Sequence, residues 1–246
     1  MLSASNISKT YADRTLFSGL TLNVSARDRI ALIGSNGSGK TTLLDILAGE
    51  ISPDTGSISR QRNVTIGYLK QEPIPLSGKT LLQEVLEASS EVSAFKVKIA
   101  ATQESLSSET GPVRQSELLQ QLSHLDRAVD AAGGDDREYE AKTILSGLGF
   151  KQGDFIRPIG EFSGGWLMRA ALARLLFREP AILLLDEPTN YLDLEGTLWL
   201  EDFLRRYPHT VLLVSHDREF IDNVVTSTLV FEGGDPNAYG GGYQDW

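Results

Sequence analysis

A glycine-rich segment between an apolar strand and an amphipathic helix restricts the fold of this chain more than any other feature. It reads Gly34-Ser-Asn-Gly-Ser-Gly-Lys40-Thr41 and matches the spacing of a phosphate-binding P-loop in full. The apolar run at 29–33 predicts a buried strand before it, and leucines at helical spacing in 40–48 predict a helix after it. A strand, P-loop and helix in this order indicate an α/β layer architecture.

Each residue type in this loop has a physical task. Glycines let backbone N–H groups turn inward around phosphate oxygens, and the helix N-terminus adds partial positive charge. Lys40 would neutralise the β- and γ-phosphate oxygens, and the Thr41 hydroxyl would coordinate Mg²⁺. The predicted nucleotide-binding residues of the loop are Gly34, Ser35, Asn36, Gly37, Ser38, Gly39, Lys40, Thr41 and Thr42.

A second candidate element is an apolar strand that ends in two adjacent carboxylates. Residues 181–185 read Ala-Ile-Leu-Leu-Leu, and Asp186 and Glu187 follow directly. Successive side chains of a strand point to opposite sides. We therefore expect Asp186 to serve the metal and Glu187, just past the strand end, to polarise the attacking water. Paired acids at a strand end are otherwise a solvated turn, but a P-loop upstream favours the functional interpretation.

The periodicity becomes helical between residues 80 and 150. Apolar and small side chains recur at intervals of three or four residues at Val92, Phe95, Ile99, Thr102, Leu106, Leu118, Leu122, Leu125 and Val129, with a break at 107–112. This seam favours an antiparallel helical hairpin at about 89–134, closing at Gly133-Gly134 and protruding from the body. Ordinary helical packing within the domain is the alternative.

Composition limits the classes of protein that this chain can represent. It has 246 residues, 41% hydrophobic and 23% charged, which suits one large globular domain or two small ones. It contains no cysteine, so disulfides and thiolate metal sites are excluded and a cytoplasmic location is expected. No apolar run approaches the roughly 20 residues of a membrane-spanning helix, so direct membrane insertion is not expected. The net charge of −10 disfavours a surface that wraps nucleic acid.

The order of further motifs resembles that of the ABC ATPases along nearly the whole chain. Phe162-Ser-Gly-Gly-Trp166 stands upstream of the carboxylate strand, as the signature of that family does. Gln71 occupies the Q-loop position, and residues 190–193, Asn-Tyr-Leu-Asp, occupy the D-loop position. His216 follows a predicted strand in the position of the switch histidine. Each motif is weak alone, whereas their shared order is specific.

This resemblance implies one ABC-type cassette over residues 1–246, with a helical region at 80–150 that includes the hairpin. It also implies that ATP and Mg²⁺ are bound and that ATP is hydrolysed. The implied catalytic residues are Glu187, His216, Gln71 and Lys40, and the implied metal-site residues are Thr41, Gln71 and Asp186.

The resemblance further implies that the site is completed by a second cassette. Ser163, Gly164 and Gly165 would bind the γ-phosphate held by the opposite cassette, because a hydroxyl and backbone N–H groups at a helix start form an anion site. Asp193 would lie in the D-loop. The partner would be a second cassette in the same full-length chain or another copy of this one.

Tyr11 occupies the position where the family places an aromatic side chain that stacks on adenine. An aromatic side chain at a strand end also packs readily into a core. The sequence therefore leaves two interpretations of Tyr11, a base-stacking residue and a core residue.

Four details resemble the ABC-F branch, whose members are soluble factors with two cassettes, many acting on ribosomes. These are Trp166 where most transporter cassettes have glutamine, the run Glu-Pro-Thr-Asn-Tyr-Leu-Asp at 187–193, the long interval from Gln71 to Ser163, and the ending at 239–246. That ending resembles the stretch before an inter-cassette linker, which implies an N-terminal cassette. The inserted hairpin would be the arm of this branch.

Charge disfavours broad RNA contact by this arm. Between residues 89 and 142 there are six basic residues against ten acidic ones, whereas affinity for phosphate backbones depends on basic contacts. A ribosome or RNA partner would therefore be contacted through a few sites. The alternative function is the ATPase motor subunit of an ABC transporter, bound to a membrane partner.

Overall fold

Two β-sheets and several α-helices form the part of the chain that a computed structural model describes, residues 1–11, 13–70, 78–88, 98–99, 101–107, 109, 111–131, 134–231 and 236–242. The strands are β1 (Leu2–Tyr11), β2 (Arg14–Val24), β3 (Arg29–Gly34), β4 (Thr55–Arg60), β5 (Ile66–Leu69), β6 (Ile182–Asp186), β7 (Thr210–Val214), β8 (Ser227–Phe231) and β9 (Asn237–Gly240). The helices are α1 (Lys40–Ala48), α2 (Leu81–Leu86), α3 (Pro112–Ala131), α4 (Gly134–Gly147), α5 (Gly164–Arg178), α6 (Leu194–Arg206) and α7 (Arg218–Val224).

The larger sheet carries the P-loop strand near its centre. Its order is β5-β6-β7-β3-β8-β9, with all neighbours parallel except β9, which is antiparallel to β8. Every residue of β6 and β7 is buried, as expected for parallel strands covered on both faces. Because β3 and β6 run in the same direction, the P-loop and the Asp186 carboxylate emerge at the same end of the sheet.

An antiparallel sheet of order β2-β1-β4 packs with α1 over one face of the larger sheet. The alternation of Leu20, Leu22 and Val24 in the sequence predicts a strand, and this is confirmed, since these side chains are 4%, 7% and 2% exposed while the residues between them are exposed. These side chains share one core with Leu43 and Leu44 of α1.

Helices α2, α4, α5, α6 and α7 contribute to a second core on the opposite face of the larger sheet. Strand β3 contributes side chains to both cores, because successive residues of a strand point to opposite faces of the sheet. Ala31 and Ile33 join the helical core, whereas Ile30 and Leu32 join the core beneath the antiparallel sheet. The predicted α/β layer architecture is therefore confirmed, and α1 has the predicted bounds.

Two sequence-based expectations about strands need correction. The alternating apolar residues Val64, Ile66 and Tyr68 predict a strand, but the strand begins at Ile66, and its more buried residues are Gly67 and Leu69 rather than Ile66 and Tyr68. The glycine-rich segment at 240–242 predicts a turn or the start of a linker. Gly240 instead ends β9, and the Gly241 N–H donates to the Thr226 carbonyl, so the segment stays paired with the sheet.

Part of the predicted hairpin at 89–134 lies outside the described residues, namely 89–97, 100, 108, 110 and 132–133. Residues 98–99 and 101–107 are helical and α3 follows, and the described residues between them, 109 and 111, belong to no helix. The seam positions Thr102, Leu118 and Leu125 are each 6% exposed. In the portion of the chain that is described, no helix is both long and apolar enough to cross a membrane.

Candidate functional site

The P-loop turns tightly between β3 and α1 because its glycines adopt left-handed backbone conformations. Gly37 has φ 73°, and Gly39, the residue directly before α1, has φ 107°. A Cβ atom on Gly39 would lie 3.1 Å from Leu16 Cβ and 3.2 Å from Phe17 Cδ1. Glycine at this position lets β2 approach the loop closely while α1 points its N-terminus at the phosphate site.

Lys40 lies at the start of α1 and is 7% exposed. Its ammonium donates to the carbonyl oxygens of Gly34 and Ser35, at 2.8 and 3.0 Å. Burial lowers the pKa of Lys40, whereas the charges of Glu187 and Asp186 raise it. The lysine is thus held over the loop by acceptors that phosphate oxygens can replace.

Thr41 and Asp186 are brought together although 145 positions separate them in sequence. The Thr41 hydroxyl donates to Asp186 Oδ2 at 2.7 Å. Burial raises the pKa of Asp186, and the hydrogen bond from Thr41 opposes that rise. A hydroxyl and a carboxylate are the hard oxygen ligands that Mg²⁺ prefers, so this pair fits the predicted metal site.

Glu187 follows β6 in a left-handed conformation, with φ 51° and ψ 55°. This backbone turn corrects the expectation that strand alternation would send the two carboxylates to opposite sides. Asp186 and Glu187 instead line one open pocket of about 290 Å³, together with Lys40 and Thr41. A non-glycine residue in this conformation is strained, and such strain persists where the surrounding structure holds it.

His216 lies beside Glu187 in the same pocket. Its Nε2 is 3.3 Å from Glu187 Oε1, and its backbone N–H donates to Glu187 Oε2 at 3.2 Å. Burial raises the pKa of Glu187, and His216 opposes the rise. Among the described residues, Glu187 Oε1 and Ser38 Oγ are buried without a geometrically sound hydrogen-bond partner. Buried polar atoms of this kind fit a site that is completed by a polar ligand.

Ser163, Gly164 and Gly165 begin helix α5. Ser163 precedes the helix in an extended conformation, and its side chain accepts no capping hydrogen bond from the helix. A Cβ atom on either glycine would meet no atom within 4 Å, so the helix start is open. None of the three residues lines the pocket around Lys40. The chain therefore presents two separate candidate anion sites.

Asp193 begins helix α6, where its Oδ1 accepts from the Gly196 N–H at 2.9 Å. That hydrogen bond is the main cause of the lowered pKa of Asp193. The loop before it is tied to α5 by Arg169, which donates through Nε to the Tyr191 carbonyl at 2.6 Å and through Nη1 to the Leu148 carbonyl at 3.0 Å. Sequence reasoning missed Arg169.

Tyr11 ends β1 and is 51% exposed, which contradicts the alternative that it is a core residue. The Lys9 ammonium lies 5.6 Å from the centre of its ring. Adenine stacking by Tyr11 stays a prediction. Gln71, the other predicted residue of the metal and catalytic site, lies outside the described residues.

The pocket also contains residues that the motifs did not identify. Asn36, Gly37, Gly39 and Thr42 line it as predicted, and they are joined by Leu16 of β2 and Val214 of β7. Leu16 and Val214 are apolar residues at strand positions, so their sequence context is that of a core. The packing of the two sheets against each other, which the local pattern does not encode, places them here.

A family model described as ABC transporter matches residues 17–190. Among curated proteins, YfmR of Bacillus subtilis (strain 168), an uncharacterized ABC transporter ATP-binding protein, is 38% identical over 99% of this chain. ABC transporter F family member 5 of Arabidopsis thaliana is 32% identical over 98% of it. The chain spans only 38% and 35% of the lengths of these two relatives. The resemblance to ABC-F proteins is thereby confirmed.

Solved structures share the fold at low sequence identity. An ATP-binding subunit of an ABC transporter superposes with a TM-score of 0.69 at 17% identity, covering 97% of this chain and 89% of that one. A dimeric, post-hydrolysis ATP-binding cassette bound to ADP and Pi gives a TM-score of 0.67 at 20% identity, covering 98% of both chains. These likenesses confirm the predicted fold class.

Proposed function

We propose, from the premise that this chain belongs to the ABC transporter family, that it binds Mg²⁺-ATP and hydrolyses it as one half of a pair of cassettes. The observation that carries the proposal is the convergence of Lys40, the Thr41–Asp186 pair and the Glu187–His216 pair in one pocket. These groups come from separate segments of the chain, and each has a distinct task in phosphoryl transfer to water.

The chemistry follows from these side chains. Lys40 and the P-loop N–H groups hold the phosphates and neutralise their charge, while Thr41 and Asp186 are the described residues that would hold Mg²⁺. Bound Mg²⁺ would supply further charge neutralisation at the phosphate oxygens. Glu187 would orient a water molecule and accept its proton. The raised pKa of Glu187 makes it a better proton acceptor, and His216 would hold the carboxylate in position.

Pairing is proposed because the chain carries a half-site that its own pocket does not use. Ser163, Gly164 and Gly165 do not line the pocket around Lys40, and a Cβ atom on either glycine would meet no atom within 4 Å. In a head-to-tail pair, this helix start would supply N–H donors to the nucleotide on the partner cassette. A solved cassette that shares this fold is described as dimeric, which supports the arrangement.

A mixing experiment tests the proposal. Lys40→Ala removes the phosphate-binding charge and leaves the α5 start intact, whereas Gly164→Asp places a negative charge at the α5 start and leaves the P-loop intact. Each variant alone is expected to hydrolyse ATP poorly. Mixed in equal amounts, they should recover about a quarter of the wild-type rate, because half of random pairs are mixed and each holds one intact site of two.

Binding measurements separate the parts of the proposal. Gly164→Asp should bind ATP like the wild-type chain, whereas Lys40→Ala should bind it weakly, since a charge-assisted contact is lost. A mixture that stays inactive while the wild-type chain is active would disprove pairing between copies of this chain. Unchanged ATP affinity in Lys40→Ala would disprove the P-loop assignment itself.

We further propose that this cassette is part of a soluble, cytoplasmic ABC-F protein that couples ATP-driven closure to action on the ribosome. The proposal rests on similarity to F family members along nearly the whole chain. Co-sedimentation with ribosomes in the presence of ATP tests this proposal. The Glu187→Gln variant is used because slow hydrolysis keeps ATP bound. If the chain sediments equally without ATP and without ribosomes, the result contradicts the proposal.

A second candidate is the ATPase motor subunit of a membrane transporter. One observation favours it, an open groove of the helical region in which Tyr139 and Ile156 are 75% and 77% exposed and Trp199 forms part of the wall. Such an apolar surface suits a partner helix. Co-purification with a membrane protein that is lost in Ile156→Asp, with ATP binding retained, would favour this candidate over the first.

A further inference from the structure

The β1–β2 hairpin places an arginine next to the P-loop. Tyr11 and Arg14 are directly opposite each other where these antiparallel strands meet. From this position the Arg14 side chain reaches across to the loop, and its Nη1 lies 3.6 Å from the point that a Cβ atom on Gly37 would occupy. A residue of the antiparallel sheet therefore extends over the backbone of the phosphate-binding loop.

Arg14 lines a pocket that shares two wall residues with the pocket around Lys40. One pocket is lined by Arg14, Ser35 and Ser38, and the other is the pocket around Lys40 and Glu187. Both pockets share Leu16 and Gly37 in their walls. Arg14 thus lines a pocket whose wall includes the P-loop residues Ser35, Gly37 and Ser38.

No carboxylate within the described ranges forms an ion pair with Arg14. Some exposed arginines of the described residues are paired, as Arg114 is with Glu117 and Arg157 with Asp154, whereas Arg62 has no ion pair, so the position of Arg14 beside Gly37 is what distinguishes it. Arg14 is exposed, so its charge needs no internal partner for stability. Its guanidinium is a planar fork of donors that matches the geometry of phosphate oxygens.

We propose that Arg14 is a phosphate-binding residue of the nucleotide site, a role that rests on the proposed ATP binding. A nucleotide whose β- and γ-phosphates lie at Lys40 and whose base lies at Tyr11 must pass its ribose and α-phosphate between these residues. Arg14 is on the hairpin that carries Tyr11, and its charged end is at Gly37. Arg14 would therefore contact the phosphate chain beside Gly37.

Nucleotide affinities test this role. The dissociation constants of adenosine, ADP and ATP are measured for the wild-type chain, Arg14→Gln and Arg14→Lys. Arg14→Gln should weaken ADP and ATP binding by roughly tenfold or more, as expected for a lost charge-assisted contact, and leave adenosine binding unchanged. Arg14→Lys should restore part of the loss. Arg62→Gln is the matched control, because it removes the same charge from an exposed turn that lines neither pocket.

The outcomes distinguish this role from the proposed function. Wild-type affinity for ADP and ATP in Arg14→Gln would overturn it, as would an equal loss for adenosine, since Arg14 would then act on the base. A loss matched by Arg62→Gln would show a general effect of net charge and would also overturn it. Failure of the wild-type chain to bind ATP would instead overturn the proposed function. Thermal melting of each variant checks that the fold is retained.

Discussion

Arg169 and Asp193 join helix α5 to the start of helix α6. Nη1 and Nη2 of Arg169 lie 3.2 and 3.3 Å from Asp193 Oδ2. The guanidinium also stacks over the Trp166 ring, with its carbon 4.6 Å from the ring centre. A substitution at Arg169 would therefore affect both helix α5 and the start of helix α6.

We expect Arg169→Ala to lower the free energy of unfolding by about 2 kcal/mol. The side chain is only 11% exposed, and its loss leaves the Tyr191 and Leu148 carbonyls without their charged donor. The ion pair itself adds little, because Asp193 is 59% exposed. Urea unfolding measures the change. Arg114→Ala, which breaks only a surface ion pair, should change the free energy by less than about 0.5 kcal/mol.

Glu187→Gln should separate binding from turnover. ATP affinity is expected to stay near the wild-type value, because Lys40 and the P-loop are unchanged. The rate of hydrolysis should fall by roughly 10²- to 10⁴-fold, the range for a lost proton-handling group. Steady-state phosphate release and equilibrium ATP binding measure the two effects, and full hydrolytic activity in this variant would contradict the role of Glu187.

The same substitution should raise the melting temperature at neutral pH. Burial raises the pKa of Glu187, so the ionised form is less favourable in the folded chain than in the unfolded one. This stability cost is present above the raised folded pKa and disappears as the pH falls below the unfolded pKa. The difference in melting temperature between Glu187→Gln and the wild-type chain should therefore shrink on acidification. A difference that grows with acid would contradict the burial argument.

Asp186→Asn should remove the stimulation of ATP binding by Mg²⁺. The carboxylate that the Thr41 hydroxyl contacts is then replaced by a neutral amide, a weaker ligand for Mg²⁺. ATP affinity measured with Mg²⁺ and with a chelator should become nearly equal. Asp136→Asn, on the exposed side of α4, serves as control and should keep the wild-type difference.

Gly147→Ala should destabilise the helical region by about 1–3 kcal/mol. Gly147 ends α4 against Trp199 of α6, and a Cβ atom would lie 2.0 Å from Trp199 Cε2. The free energy that alanine gains over glycine in a helix is smaller than the cost of this clash. Gly153→Ala is the matched control, since nothing lies within 4 Å of its Cβ position, and it should be nearly neutral. Chemical unfolding compares the two variants.

Much of the fold and of the candidate site could be predicted from local patterns. The P-loop, the bounds of α1 and the strand that ends at Asp186 follow from residue types within ten or so neighbours. The alternation at Leu20, Leu22 and Val24 reflects the two-residue period of a strand. The strand at Val64 was less well predicted, because its large apolar residues Ile66 and Tyr68 lie on the less buried face, whereas Gly67 and Leu69 are buried.

The chemical groups that this cassette carries, and their order along the chain, follow from its residues alone. Their geometry depends on the folded chain: the contact of Thr41 with Asp186, the left-handed turn that brings Glu187 into the pocket of Asp186, and the reach of Arg14 to Gly37. The physical reason is that helices and strands depend on neighbouring residues, whereas these contacts depend on strand order and on how two sheets and their helices pack.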